Sequence, residues 1–311
     1  MTQQKQYRLV TRSDFDGLVC AVLLNELKLI REVMFAHPKD MQDGKVEITG
    51  DDITTNLPYV AKAHLVFDHH LSETLRNATD VDNYVIDPRA PSAARVVYNH
   101  YGGKKAFPGI SDEMMAAVDK ADSAQFSIDE ILDPKDWVLL NYLMDARTGL
   151  GRFREFKVSN FQLMMDLIGY CRNHGIDEIL QLPDVQERVA LYRQYETLAK
   201  EQIRRCSRVH GNVVVLNLLH EETIYPTNRF MIYALFPDCN ISIHQMWGLN
   251  KQNTVFAVGK SIVNRTSRTN IGALMLQYGG GGHEAAGTCQ VGHDQSEDVL
   301  DELIARIRGH G

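Results

Sequence analysis

Short apolar segments alternate with longer amphipathic segments through roughly the first 125 residues of the chain. The apolar segments predict strands at 7–11, 32–36, 46–49, 64–67 and 83–86, and the amphipathic segments predict helices at 17–29, 56–62, 91–101 and 111–120. Such alternation is typical of a mostly parallel sheet with helices on both faces. We therefore expect an α/β fold that binds its ligands beyond the carboxyl ends of the strands.

The pattern changes in the middle of the chain and changes back near residue 211. Helical periodicity dominates at 135–143, 160–174 and 184–207, and the last segment is either a connection between domains or one more core helix. Strands are then predicted at 213–219, 229–235, 240–246 and 254–260, before helices at 269–278, 284–287 and 295–308. These patterns predict an N-terminal domain with a helical extension over 1–183, a connecting helix over 184–210, and a smaller α/β domain over 211–311.

The predicted strand at 64–67 ends in a carboxylate and two imidazoles, Asp68, His69 and His70. A buried carboxylate needs a counter-charge, and a divalent metal that is bound by carboxylate and neutral imidazole supplies one. The alternative is that Asp68 caps a helix and both histidines lie at the surface. A second acidic motif follows the first predicted strand, where Asp14 and Asp16 precede Gly17. Alternate residues can face the same ion, although a helix cap would also fit.

Four consecutive glycines, Gly279 to Gly282, precede His283 near the other end of the chain. Such a run is entropically costly unless the backbone must approach another group closely. We expect a helix to begin directly after these glycines, so that its free N–H groups could hold an anion.

In this order, the three motifs resemble the DHH phosphoesterase superfamily with its C-terminal DHHA1 domain, and the resemblance covers nearly the whole chain. It implies a centre of two Mn²⁺ ions, with Mg²⁺ as the alternative, where a metal-activated water attacks phosphorus. Oxygen-rich ligands independently favour these hard ions over zinc. The implied metal ligands are Asp14, Asp16, Asp52, His69 and Asp122, with Asp52 bridging. Asp51 and Asp119 are the alternatives to Asp52 and Asp122, and Val10 stands where many relatives carry a histidine.

The resemblance also implies catalytic roles for residues that bind no metal. Asp68 would orient His69, His70 would donate to a phosphoryl oxygen, and Arg95 would reach the phosphoryl group. The implied substrate contacts in the C-terminal domain are Gly280, Gly281, Gly282 and His283, to which Lys260 and Arg265 could add positive charge. We interpret Arg147, Arg152 and Arg154 as part of a solvated loop.

Composition narrows the class of protein further. The chain has 311 residues, of which 44% are hydrophobic, so it can supply cores for two domains. Its net charge of −7 disfavours binding of long duplex nucleic acid. Five cysteines without a C-x-x-C pair indicate neither a disulfide framework nor a zinc site. No apolar run approaches the roughly 18 residues that a membrane span needs, so we expect a cytoplasmic protein that does not bind membranes. A homodimer is compatible with the sequence.

These observations predict a metal-dependent phosphohydrolase that acts on a short anionic substrate. We favour exopolyphosphatase-like cleavage of a phosphoanhydride, because Tyr278 is the only aromatic residue beside the glycines that could stack on a base. The alternatives are an oligoribonuclease acting on very short RNA, a phosphodiesterase for a small nucleotide such as 3′-phosphoadenosine 5′-phosphate or a cyclic dinucleotide, and an inactive regulator that binds metal and nucleotide.

Overall fold

A computed structural model describes residues 5–70, 73–74, 81–153 and 155–308. The chain divides into two compact units, of which the first comprises Met1–Gln125 and Lys135–Leu191 and the second comprises Phe126–Pro134 and Tyr192–Gly311. The first unit contains a parallel sheet and the second contains a mixed sheet. The predicted α/β class is therefore confirmed.

Eleven strands are present among the described residues. The first unit has β1 (Tyr7–Thr11), β2 (Ile30–Phe35), β3 (Asp52–Thr55), β4 (Leu65–Asp68) and β5 (Tyr84–Ile86), in the sheet order β2-β1-β3-β4-β5. The second unit has β6 (Ser207–His210), β7 (Val213–Asn217), β8 (Ile241–Trp247), β9 (Thr254–Lys260), β10 (Gly281–His283) and β11 (Ala286–Val291), in the order β10-β11-β9-β8-β7-β6.

Twelve α-helices are present in the same described ranges. They are α1 (Phe15–Glu26), α2 (Pro38–Gln42), α3 (Ala93–His100), α4 (Asp112–Asp122), α5 (Ile128–Leu132), α6 (Asp136–Met144), α7 (Asn160–Asn173), α8 (Ile176–Leu180), α9 (Pro183–Cys206), α10 (Met231–Leu235), α11 (Ile271–Leu276) and α12 (Ser296–Arg308). Helix α9 begins in the first unit and ends in the second.

Helix α1 is the central helix of the first unit, and every residue from Phe15 to Leu24 is buried. A helix that is apolar on all sides must be covered on all sides. Helices α3, α4 and α7 pack against it. Its first turn, which follows β1 directly, is therefore fixed in position, and this turn carries one of the predicted acidic motifs.

The third strand lies further along the chain than the sequence pattern indicated. We expected a strand at 46–49 and a helix at 56–62, but β3 is Asp52–Thr55 and the segment 56–62 is not helical. Ile53, Thr54 and Thr55 are β-branched and fully buried, which suits a central strand. The shift of the strand places the acidic pair Asp51–Asp52 at its start instead of its end.

Two further expectations fail in the second unit. The segment predicted as a strand at 229–235 contains helix α10, and the helix predicted at 284–287 is absent. The glycine-rich run instead forms β10, which pairs with β11 in an antiparallel hairpin. A Cβ at Gly280 would lie 2.0 Å from the Thr288 carbonyl oxygen, so this glycine permits close packing of two backbones.

We predict that Gly280→Ala lowers the free energy of unfolding by about 1–3 kcal/mol or more, because the new methyl group overlaps backbone that cannot move freely. Gly281→Ala is the matched control, since a Cβ at Gly281 would have nothing within 4 Å. Urea denaturation of both variants measures the difference. Equal stability of the two variants would contradict this description of the hairpin.

Candidate metal centre

The turn after β1 is built around Asp14, which caps helix α1. Its Oδ1 accepts a hydrogen bond from the Gly17 backbone N at 3.0 Å, and its Oδ2 lies 2.9 Å from Arg12 Nε. A Cβ at position 17 would lie 2.0 Å from the Arg12 carbonyl oxygen, so only glycine fits beneath this turn. The sequence Asp14-Phe15-Asp16-Gly17 therefore folds as a helix cap and also places carboxylates at the end of β1.

Asp16 is buried and joins two helices. Its carboxylate oxygens accept hydrogen bonds from the backbone N of Ala93 at 2.9 Å and of Ala94 at 2.7 Å. These N–H groups belong to the first turn of α3, where a negative charge is stabilised by free donors and by the helix dipole. Asp16 is thereby held in one position relative to the segment that follows β5.

His69 and Asp122 complete a compact group of possible metal ligands. One ligand atom from each of Asp16, His69 and Asp122 lies within 4.8 Å of the other two. His69 Nε2 is 2.8 Å from Asp122 Oδ2, and His69 Nδ1 is 3.2 Å from the carbonyl oxygen of Ala90. Because that carbonyl can only accept, Nδ1 carries a proton, and Nε2, which faces Asp122, would become the ligand atom when a metal displaces its proton.

The charges in this group cannot all be accommodated without a cation or extra protons. Burial, reinforced by the Asp122 carboxylate, raises the pKa of Asp16 to about 8. Burial alone would lower the pKa of His69, but the contact with Asp122 raises it to about 9. Burial opposes ionisation of Asp122 as well, yet His69 keeps its pKa below the usual value. A divalent cation would replace the protons that Asp16 and His69 otherwise retain.

Asn56 also belongs to this site, although the sequence analysis missed it. It follows β3 with a φ of 55°, and its Nδ2 donates to Asp14 Oδ1 at 3.2 Å. Its buried Oδ1 has no hydrogen-bond partner among the described residues. Asparagine tolerates left-handed backbone, and an amide oxygen is a ligand for hard cations. The available sequence signal was the position of Asn56 directly after the β-branched residues of β3.

The assignment of Asp52 as a bridging metal ligand is wrong. Asp52 begins β3 beside Arg8 of β1, whereas Asp14 and Asp16 follow the far end of β1. Its carboxylate accepts hydrogen bonds from Arg8 Nε at 2.7 Å, Arg8 Nη2 at 2.9 Å and the Thr49 backbone N at 2.7 Å. The alternative, Asp51, is paired with Lys5 at 2.9 Å. Both acidic groups therefore lie at the amino end of the sheet.

The predicted role of Asp68 also needs correction. Asp68 Oδ1 lies 2.7 Å from His70 Nδ1 and accepts from the His69 backbone N at 2.8 Å, so it orients the ring of His70 and not that of His69. Burial opposes protonation of His70, but the Asp68 carboxylate raises its pKa. His70 is thus positioned with its Nε2 directed away from Asp68, as a donor would be.

Arg95 is held by Asp119, which was the alternative to Asp122 as a metal ligand. Arg95 Nε and Nη2 donate to Asp119 Oδ2 at 2.9 and 2.5 Å, and Ser92 Oγ donates to Asp119 Oδ1 at 2.7 Å. This pair connects α3 with α4. Because the two charges balance each other, we leave Arg95 out of the catalytic set and Asp119 out of the metal set.

The remaining predicted residues lie elsewhere. Val10 is a fully buried core residue of β1. In the second unit, Gly281, Gly282 and His283 form β10 directly after Gly280. Lys260 Nζ donates to Glu284 Oε1 at 3.0 Å, and Arg265 Nε donates to the Ile262 carbonyl oxygen at 3.1 Å. Arg154 lies outside the described residues.

No family model matches the chain, and the comparison with curated proteins gives no match. Among solved structures, a pGpG-specific phosphodiesterase, PggH from Vibrio cholerae, is 64% identical to this chain with a TM-score of 0.88, covering 98% of this chain and 100% of the other. This chain belongs to the DHH phosphoesterase superfamily. The predicted phosphoesterase class is thus confirmed, and Asp16, His69 and Asp122 form a candidate metal site within it.

A second solved structure is similar to this chain in fold only. RecJ from Thermus thermophilus, in complex with Mn²⁺, is 12% identical with a TM-score of 0.53, and the match covers 99% of this chain and 53% of RecJ. Among the described residues of the DHH phosphoesterase, no helix combines the length and apolar character needed to cross a membrane.

We predict that Asp122→Asn weakens Mn²⁺ binding at least about tenfold, because it removes a ligand and the charge that faces His69. Asp52→Asn should leave Mn²⁺ affinity unchanged while lowering the free energy of unfolding by about 1–3 kcal/mol, since it disrupts the pairing with Arg8. Isothermal titration of the metal-free protein and urea denaturation separate the two effects. A folded Asp52→Asn variant that has lost Mn²⁺ binding would refute this assignment of ligands.

Proposed function

We propose that this protein is a Mn²⁺-dependent phosphodiesterase that hydrolyses a 5′-phosphorylated dinucleotide of the pGpG type into two mononucleotides. The observation that carries the proposal is the convergence of Asp16, His69 and Asp122 at one end of the parallel sheet. Full-length similarity at 64% identity to a pGpG-specific phosphodiesterase supports the choice of substrate.

The donor set fits hard divalent cations. Asp14, Asp16, Asn56, His69 and Asp122 would hold two Mn²⁺ ions, with Mg²⁺ as the alternative. Four of these five side chains offer oxygen and one offers nitrogen, a composition that favours Mn²⁺ or Mg²⁺ over zinc. When bound, the ions supply a nucleophile at neutral pH and neutralise charge that develops on the phosphoryl oxygens.

The protein's own side chains fix the reacting phosphate. His70, oriented by Asp68 at 2.7 Å, would donate from Nε2 to a non-bridging phosphoryl oxygen. The Asp68 carboxylate raises the pKa of His70, which favours the protonated ring that such a donor requires. A positioned cationic donor stabilises the charge of the transition state more than that of the bound substrate.

A dinucleotide now replaces polyphosphate as the favoured substrate. The preference for polyphosphate depended on the scarcity of aromatic residues beside Gly279–Gly282, and the similarity to a phosphodiesterase outweighs that argument. In the second unit, we propose Gly280, Gly281, Gly282, His283, Lys260 and Arg265 as substrate contacts. We further propose that the enzyme acts in the cytoplasm on a diffusible substrate. All five cysteines are free thiols, which agrees with a reducing compartment.

We expect purified protein with Mn²⁺ to hydrolyse pGpG faster than short polyphosphate, 3′-phosphoadenosine 5′-phosphate or cyclic di-GMP. Asp16→Asn should lower kcat/KM for pGpG at least about 100-fold, because a metal ligand is lost. Asp51→Asn is the control, since Asp51 is an exposed carboxylate at the opposite end of the sheet. If short polyphosphate is hydrolysed fastest, the protein is an exopolyphosphatase and the proposed substrate is wrong. Full activity of Asp16→Asn would exclude the proposed site.

A further inference from the structure

A cavity of about 430 Å³ opens beside the acidic group, within the first unit. It lies beyond the carboxyl ends of β1 and β2 and is bordered by Asp14, so it adjoins the proposed reaction centre. Helices α6 and α7 and the loop between them supply most of its other walls, and the start of α2 and Arg188 of α9 complete them. The apolar side chains that line it include Phe35, Met144, Leu150 and Met164. Its size and apolar walls suit the flat ring of a nucleobase.

The polar groups of this cavity are mostly hydrogen-bond donors. Arg147 Nε donates to Asp145 Oδ1 at 2.7 Å, while its Nη groups form no hydrogen bond with the described residues. Asp145 Oδ1 also accepts from the Arg147 backbone N at 2.9 Å, so the guanidinium group is held at a fixed angle. Arg12, paired with Asp14 at 2.9 Å, adds a second guanidinium group.

Asn160 adds an amide donor whose orientation is set by a buried arginine. Arg188, only 1% exposed, donates to Asn160 Oδ1 from Nε at 3.3 Å and from Nη2 at 3.0 Å. Because both hydrogen bonds go to Oδ1, the Nδ2 group is left as the donor of this side chain. Three donor groups with restricted geometry therefore line a single apolar cavity.

We propose that this cavity binds a guanine base of the substrate and that Arg147 determines its specificity. Guanine presents two adjacent acceptors, O6 and N7, which an arginine can bind with two parallel hydrogen bonds. Adenine presents the N6 amino group in place of O6 and would direct a donor at the donors of the cavity. The proposal deepens the proposed function, because it assigns the base preference to residues of the catalytic unit.

A phosphate group fits this cavity less well than a base. It would be brought close to the carboxylates of Asp14 and Asp145, and its charge would be desolvated against apolar walls. A guanine ring is neutral and places its polar edge at the arginines and its faces against Phe35 and the methionines. The competing interpretation, a phosphate contact by Arg147, predicts a loss that does not depend on the base.

The decisive experiment compares kcat/KM for pGpG and pApA in the wild type and in Arg147→Ala, Arg147→Lys and Arg152→Ala. Arg147→Ala and Arg147→Lys should each reduce the ratio of pGpG to pApA by roughly 5- to 150-fold, because lysine keeps the charge but cannot form the paired hydrogen bonds. Arg152→Ala, which removes a nearby arginine that does not line the cavity, should keep the wild-type ratio. An unchanged ratio in both Arg147 variants, or full recovery in the lysine variant, would overturn the proposal.

A binding measurement distinguishes failure of this inference from failure of the proposed function. Metal-free wild-type protein should bind GMP more tightly than AMP in isothermal titration, and Arg147→Ala should lose that preference while retaining the wild-type melting temperature. If the wild type hydrolyses neither dinucleotide yet prefers GMP through Arg147, the proposed function fails and the guanine cavity stands. Equal binding of GMP and AMP by the wild type would overturn the cavity assignment.

Discussion

The constraint on which the site of the first unit depends is the crowding of two carboxylates and an imidazole in one small space, with Asp16 buried and His69 and Asp122 half-buried. Asp16, His69 and Asp122 approach within 4.8 Å, and their charges are unfavourable there unless protons or a cation compensate. Each residue is supplied by a different element: the first turn of α1, the segment after β4 and the last residue of α4. The elements are independently anchored, since Asp16 is bound by the start of α3 and α1 is covered on all sides. The fold thus holds in place a group of charges that must be compensated by a cation or by protons.

The position of this group follows from the order of the strands. Strand β1 lies between β2 and β3, so the chain leaves β1 towards one edge of the sheet and later returns to its other side. Loops from neighbouring strands diverge at such a point and leave a crevice at the carboxyl ends. Asp14 borders that crevice from β1 and Asn56 borders it from β3. The acidic group and the adjoining cavity are therefore two parts of one end of the sheet.

The sequence pattern correctly placed the strands that carry two of the three motifs, β1 and β4. Asp14, Asp16 and His69 follow strands that were placed within a residue or two, and their types are those of metal ligands. The prediction that Asp52 binds a metal was wrong because the third strand was placed about six residues too early. That error put Asp52 after the end of the strand, whereas it is the first residue of the strand. Asn56 was not predicted because the family pattern indicates a carboxylate between the first two motifs, whereas the residue that contacts Asp14 after β3 is an amide.

Other features depend on contacts between distant segments and carry little local signal. The four glycines were expected to precede a helix, but Gly280 instead permits the backbone of β11 to approach. Arg147 was interpreted as solvated because it lies in a loop among glycines. Only the packing of α6 and α7 beside the ends of β1 and β2 creates the cavity that it lines.

The central claim is that the group formed by Asp16, His69 and Asp122 is a binding site for divalent cations. Anomalous diffraction at the manganese edge from crystals grown with Mn²⁺ tests it most directly. The account predicts two peaks roughly 3.5–4 Å apart, with these three residues and Asp14 and Asn56 in coordination contact. Peaks located elsewhere, or none at saturating Mn²⁺, would contradict it.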